Sequence, residues 1–350
     1  MAIVCLCPAG FATGVQTESA SQSAVSAPYT EEEVEYDNPN APGVTLAGTL
    51  TIPRGEKASP AVLLISGAGP HTRDEESAGH KVFAVLADYL ARKGLVVLRT
   101  DDRGISKSTG NFAAATTKDF ASDAEAGVRF LMTRSEVDRK HIGLMGHGEG
   151  AIVAAMAAAR MPEISYIVLL SGTAMPGEQV LLTQTARAET AAGLPEDQVA
   201  ADYAIGRRLY AMVRMGRSES AMQSELAGVP PQYEVSAAAW RKQIPKLQTP
   251  WLRFFLSYDP ATALAEVKCP VLAVWGSKDV TVDPNANAEA MKAALSKAHN
   301  HDVAIKVLPG LNYLLQKADT GLAYEYGEIK ETISPTALTL IGDWFAKRVF

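Results

Sequence analysis

The chain has 350 residues, a length that holds one large domain with an insertion or two ordinary ones. Its 33 Lys and Arg against 39 Asp and Glu give a net charge of −6, and no stretch gathers basic residues with aromatics into a phosphate-binding face, which argues against nucleic acid as a partner. At 47% hydrophobic it is too apolar for a disordered chain, and no run approaches the roughly 18 apolar residues of a membrane span, so a soluble globular protein is expected.

Cys5 and Cys7 lie in the N-terminal segment and Cys269 stands alone before Pro270, so the cysteines offer neither a metal-ligand set nor a disulfide framework. Met1 to Ala12 is apolar and rich in small residues, and a polar stretch from Gln16 to Pro28 follows it. That pattern resembles the end of a secretory signal and its linker, without the basic start of such signals. Residues 1–28 are therefore read as a leader outside the fold, with exported or periplasmic and cytoplasmic placement as the alternatives.

From Thr45 the pattern becomes regular. Leu46, Leu50 and Ile52 recur in a strand ending at Pro53, and Ala61 to Ser66 is a continuous apolar run of the kind buried on both faces of a sheet. The glycine-rich loop Gly67-Ala68-Gly69-Pro70 comes next. Val82, Val85, Leu86, Tyr89 and Leu90 then repeat at helical spacing, with Gly94 placed to end the helix. Leu95 to Thr100 predicts a strand, Phe120, Ala124, Val128 and Leu131 a helix, and Ile142 to Gly146 another strand. A sharp turn leads into a helix from Ala151 to Arg160 whose alanines allow close packing. Tyr166 to Ser171, Val271 to Trp275 and Val303 to Leu308 supply three more strands, and a helix from Leu338 to Val349 closes the chain. The alternation implies an α/β fold with a mostly parallel, doubly wound sheet, its core formed by residues 29–172 and 266–350.

Residues 173–265 break the alternation. Helical patterns run over Val199 to Met215 and Ser236 to Ile244, with no buried strand between. This segment reads as a helical cap over the carboxyl edge of the sheet, where ligands of open α/β sheets bind.

The decisive feature is the strand-turn-helix around Gly146-His147-Gly148-Glu149-Gly150, the context of a nucleophile elbow. With it, in order, come Leu46-Ala47-Gly48-Thr49-Leu50, Ser66-Gly67-Ala68-Gly69-Pro70, Arg73-Asp74-Glu75 and Asp101-Asp102-Arg103-Gly104. Later in the chain come Pro250-Trp251-Leu252-Arg253-Phe254-Phe255, Tyr258-Asp259-Pro260, Gly276-Ser277-Lys278-Asp279 and Leu308-Pro309-Gly310-Leu311-Asn312. On these stretches the chain resembles the bacterial esterases of the dienelactone-hydrolase-like group of α/β-hydrolases, from about Thr45 to the C-terminus. The resemblance implies the α/β-hydrolase fold and a relay of elbow serine, late acid and last-loop histidine.

Of that relay the sequence keeps the acid, Asp279. The nucleophile position is Gly148, which offers no nucleophile. The histidine position is Tyr313, a phenol whose pKa near 10 makes it a poor base at neutral pH. Loss of the serine or the histidine costs such enzymes about 10⁶ in turnover, so ordinary serine-hydrolase catalysis is not expected. An engineered removal of the serine would account for Gly148 but not for Tyr313 on a separate loop, and natural divergence accounts for both.

The resemblance also implies an oxyanion hole from the backbone N–H groups of Ala68 and Glu149, a pocket able to polarise a carbonyl with Tyr313 as proton donor. His71, where the related esterases would carry glutamine, can serve as a base near pH 7 or be a surface histidine. His147 is assigned support beneath the elbow, His80 the orientation of the first helix, and Asp101, Asp102 and Arg103 a network bracing the elbow. Arg73, Asp74 and Glu75 either line the entrance or pair with one another. Trp251, Phe254, Phe255 and Met175 are candidate substrate-binding residues, although such side chains also pack helical cores. Ser66 and Ser171 end strands at the same edge without standing on an elbow.

Three functions follow as expectations. One is a non-hydrolytic lyase, cyclase or isomerase acting on a small carbonyl or ester compound. The second is a ligand-binding protein without catalysis. The third is a carboxylic-ester hydrolase that has been engineered inactive or uses an unfamiliar arrangement. No cofactor and no metal site are expected, the partner is a small carbonyl or ester ligand, and a homodimer is compatible with the sequence.

Overall fold

The computed structural model describes residues 27–55 and 57–349. The expected leader, with Cys5 and Cys7, lies outside the described residues up to residue 26. Eight strands form one sheet: β1 (Tyr29–Asp37), β2 (Thr45–Pro53), β3 (Ser59–Ile65), β6 (Val96–Thr100), β7 (Val137–His147), β8 (Ile164–Leu170), β9 (Val271–Gly276) and β10 (Val303–Leu308). Two short strands, β4 (Glu76–Ser77) and β5 (His80–Lys81), pair separately. The order across the large sheet is β1-β2-β6-β3-β7-β8-β9-β10. The strands from β6 to β10 in that order run parallel, and β2 is antiparallel to both of its neighbours. This is the α/β-hydrolase arrangement.

The apolar run of β3 explains the layering. Ala61 and Leu63 pack in one core and Val62 and Leu64 in another, as strand alternation requires when both faces are covered. The helices α1 (Val82–Arg92) and α11 (Pro335–Ala346) bury Leu86, Leu90, Ile341 and Phe345 in the second core. The first core takes α2 (Thr117–Thr133), α3 (Glu149–Ala158) and α10 (Pro284–Lys297). Small alanines let α3 sit flush against its neighbours, and every residue from 149 to 157 is buried.

Between β8 and β9 the described residues form six α-helices and no strand: α4 (Gly177–Ala191), α5 (Glu196–Arg214), α6 (Glu219–Ala227), α7 (Glu234–Gln243), α8 (Pro250–Ser257) and α9 (Ala261–Leu264). One detail differs from the sequence reading. His80 does not orient α1. Its ring nitrogens face the Tyr326 carbonyl at 2.8 Å and Thr332 Oγ1 at 3.1 Å, tying the small hairpin to the last long loop. Cys269 is half-buried, its thiol pushed up to about 12 by burial.

Candidate functional site

Four loops leave the carboxyl ends of parallel strands at one place: 66–70 after β3, Gly148 after β7, 277–283 after β9 and 309–317 after β10. A β-carbon on Gly150 would collide with the carbonyl oxygens of Ile65 and Ser66. The first turn of α3 can therefore press against the end of β3, which sets the glycine-rich loop beside the elbow. A cavity of about 270 Å³ opens among these loops, α4 and α8. Its wall includes Ala68, His71, Glu75, His147, Gly148, Glu149 and Tyr313, with Val180 and Leu181 from α4 and Trp251 and Phe255 from α8.

Gly148 sits at φ +53°, ψ −113°, a conformation that strains any L side chain. The place where such a side chain would begin is taken. A β-carbon built there collides with the Tyr313 hydroxyl oxygen, so elbow and last loop fit only as this pair. The Tyr313 hydroxyl makes no hydrogen bond with the described residues. Close packing, with the Glu75 and Asp279 carboxylates nearby, raises its pKa well above 10, so the phenol is neutral and available as a donor.

Tyr313 is held by its backbone. Its carbonyl accepts hydrogen bonds from Ser171 Oγ at 2.8 Å and His147 Nε2 at 3.1 Å, and its ring lies 4.4 Å from the His147 ring. His147 Nδ1 meets Glu75 Oε1 at 2.9 Å. Both ring nitrogens face oxygen atoms, an arrangement that favours the doubly protonated ring. Burial alone would lower its pKa, but the Glu75 charge and hydrogen bond outweigh burial and the net shift is upward. Burial likewise pushes Glu75 up, and the charge and hydrogen bond of His147 reverse it, leaving the carboxyl below its ordinary range. Glu75 also accepts from the Gly67 N–H at 2.7 Å and sits at φ +46°, unusual for a non-glycine residue.

Asp279 is fully buried. Its Oδ1 accepts from the N–H groups of Thr281 and Val282, both at 2.8 Å, and its Oδ2 has no partner among the described residues. Burial pushes this carboxyl up to about 7. No hydrogen bond joins it to Tyr313, whose hydroxyl points to Gly148 instead. Glu149 is buried too, its Oε1 accepting from Thr117 Oγ1 at 2.5 Å and Trp251 Nε1 at 2.7 Å, and burial raises it to about 7. The N–H groups of Ala68 and Glu149 make no backbone or side-chain hydrogen bond among the described residues.

His71 lies on the wall with Nε2 3.3 Å from the Ala68 carbonyl. Trp251 and Phe255 also line the wall and stack on each other at 5.1 Å. Phe254 and Met175 do not. Phe254 stacks on Tyr258, and Met175 is bound back onto Thr173 through its own backbone. Asp101 and Asp102 brace the glycine-rich loop and the residues just after it rather than the elbow, and Arg103 ties its own loop to α2. Asp102 accepts from Ser66 Oγ and the His71 N–H, and is pushed up to about 8 by burial. Asp101 pairs with Arg73, and Arg103 with Asp123. Sequence reasoning misses the carboxyl of Glu149 and the pairing of His147 with Glu75. Their one signal is position, since Glu75 follows the glycine-rich loop and the other two flank the elbow.

The family model described as serine aminopeptidase, S33 matches residues 57–313. The chain belongs to this α/β-hydrolase family. Among curated proteins, a similar one is esterase EstD of Thermotoga maritima, 27% identical over 270 residues. The alignment covers 77% of this chain and 58% of EstD, so the chain spans little more than half the length of that relative. The esterase Pf2001 of Pyrococcus furiosus superposes with a TM-score of 0.57 at 16% identity over 92% of each chain. A dienelactone hydrolase from Anabaena variabilis superposes at 0.50 and 16% identity over 92% of this chain and all of its own. At these identities the two structures speak for the fold. The described residues contain no helix long and apolar enough to cross a membrane and no cluster of three or more metal-ligating side chains.

Proposed function

We propose that this member of the serine aminopeptidase S33 family is a cofactor-independent enzyme that polarises a small carbonyl or ester compound and moves a proton without forming an acyl-enzyme, as a lyase, cyclase or isomerase does. The observation that carries this reading is the Tyr313 hydroxyl, seated where the side chain of an elbow nucleophile would begin. The relay is then dismantled in a coordinated way, with glycine at 148 making room for the phenol. A substrate carbonyl oxygen would take the N–H groups of Ala68 and Glu149 and the Tyr313 O–H, three donors fixed before the reaction starts. Because its pKa is raised, Tyr313 serves as donor to the developing oxyanion and not as base. Proton abstraction falls to His71 in the cavity wall, since both ring nitrogens of His147 are already engaged by Glu75 and the Tyr313 carbonyl.

A panel of model compounds tests this without the natural substrate in hand. Aryl ketones and β-keto esters are incubated with the protein in D₂O, and deuterium entry at the α-carbon is followed by NMR. Wild-type protein is expected to catalyse exchange of at least one compound, and Tyr313→Phe to lose about 100-fold or more of that rate. Equal rates in the two proteins, or no exchange in either, would sink the proposal. A ligand-binding role without chemistry draws on the locked His147–Glu75 pair. It would leave every bound compound chemically unchanged when recovered and weighed by mass spectrometry.

A further inference from the structure

We infer that a proton shared between Glu189 on α4 and Asp202 on α5 holds the helical segment closed over the cavity, and that rising pH releases it whatever chemistry the cavity performs. Each residue is only 3% exposed, and the two carboxyls act on each other by charge and lie within hydrogen-bonding reach. Two carboxylates have no proton to donate, so carboxyls in such contact hold one between them. Among the described residues no other donor reaches either oxygen of Glu189 or Asp202 Oδ1. The polar groups that face the pair from α7 are Ser236, which hydrogen-bonds Asp202, and Trp240, whose Nε1 lies near Asp202 without a full hydrogen bond.

Among the described residues no cation offsets the pair. Arg187 binds Asp283 at 2.7 Å, Arg214 binds Glu178 at 2.9 Å, Arg208 binds Glu225 at 3.0 Å, and Arg241 binds Glu234. Arg207, Lys242, Lys246 and Arg253 are exposed, as are Glu196 and Asp197 at the start of α5. Burial raises the pKa of both buried carboxyls. The Asp202 charge raises Glu189 further, and Glu189 stands in the last turn of α4, where the helix dipole opposes a negative charge. Bonds from Ser236 and Glu189 draw Asp202 back down, so the proton resides on Glu189. Because the folded pair binds its proton more tightly than the unfolded chain does, its contribution to stability is complete below the free-carboxyl range of about 4 and is lost as pH rises through the raised value. The pair bears on the cavity through α4. Gln184 in the wall lies about 7.5 Å along the helix from Glu189, and Arg187 between them donates to the Asp279 carbonyl at 2.9 Å. Two charges forced together at that end therefore loosen the wall and the loop of Asp279 at once.

Amide hydrogen exchange of the full chain, followed by mass spectrometry at about pH 5.5 and about pH 8.5 and corrected for the intrinsic pH dependence of exchange, reads the release directly. Peptides from the second half of α4 and the first half of α5 are expected to lose about tenfold or more of their protection at the higher pH. Glu189→Gln keeps the size of the side chain and gives Asp202 a permanent N–H donor, so protection in that variant should differ by less than about twofold between the two conditions. Should that variant fail to fold, Asp202→Asn removes the same repulsion from the other side and is expected to flatten the response equally. Wild-type protection that is independent of pH overturns the inference. A loss that persists undiminished in a folded variant overturns it too, and assigns the response to Asp279 or Glu149 beside the cavity. Failure of both variants to fold would also count against it, since each only makes the shared proton permanent.

Discussion

At Gly148 two demands coincide: a backbone at φ +53° and a Tyr313 hydroxyl filling the space where a side chain would start. Gly148 therefore cannot regain a side chain while Tyr313 keeps this place. Gly148→Ser is expected to lower stability by about 1–3 kcal/mol from backbone strain, with the collision against Tyr313 added, and to gain no esterase activity. Gly148→Ser combined with Tyr313→His removes the collision and offers Asp279 Oδ2 a ring N–H. Hydrolysis of a chromogenic short-chain ester should appear in the double variant alone, and an inert double variant would mean the pocket has changed beyond these residues. Asp279 also sets a pH dependence. Its folded pKa is about 7 against 3.8 for the free side chain, so between about pH 4 and 7 the native state holds a proton that the unfolded chain has lost. Stability from this group is complete below pH 4 and falls as pH rises through 7. Asp279→Asn is expected to flatten that limb by on the order of 3 kcal/mol, read from urea unfolding at pH 4.5 and pH 8.

The bond from Trp251 Nε1 to Glu149 Oε1 joins α8 to the first turn of α3, so one carboxyl ties the helical segment to the elbow. Trp251→Phe keeps an aromatic ring stacked near Phe255 and deletes that donor. A loss of about 1–2 kcal/mol is expected in urea unfolding. The Glu149 carboxyl should titrate still higher by carbon-13 NMR, because the lost bond favours the charged form. An unchanged titration would show that Thr117 alone holds the carboxyl. Elements of this kind are unevenly legible in the sequence. Strands buried on both faces announce themselves as apolar runs, and the core helices as repeats such as Leu86 and Leu90. The edge strand β1 does not, since Glu31, Glu32, Glu33 and Glu35 hide the inward Val34 and Tyr36. Nor does α10, where only Met291, Ala294 and Leu295 carry a short apolar face. At the site, turn chemistry marks Gly148 and the 66–70 loop. The Tyr313–Gly148 contact and the Glu75–His147 pair join residues far apart in the chain, and no local pattern encodes them.

Across the whole molecule, the acidic strand that escapes the sequence reading is linked by charge to the wall of the cavity. Glu31 pairs with Arg99 at 2.9 Å, and Arg99 in turn binds Asp74. Glu33 pairs with Arg73 at 2.9 Å, and Arg73 binds Asp101 at 2.8 Å. The first chain of ion pairs ends on Asp74 and the second runs through Arg73, both on the segment that carries Glu75. The glutamates are half-exposed or more, so each pair contributes only about 0.2–1 kcal/mol, but Arg99 is buried, Arg73 is partly buried, and each is shared between two carboxylates. Glu31→Gln with Glu33→Gln is therefore expected to cost about 1–2 kcal/mol at 0.05 M NaCl. At 1 M NaCl, where the screening length falls to about 3 Å, most of that difference should vanish. Urea midpoints of wild type and double variant at the two salt concentrations decide it. A cost independent of salt would mean that β1 is held by Val34 and Tyr36 packing, and that the charges merely keep this sheet edge from pairing with another chain.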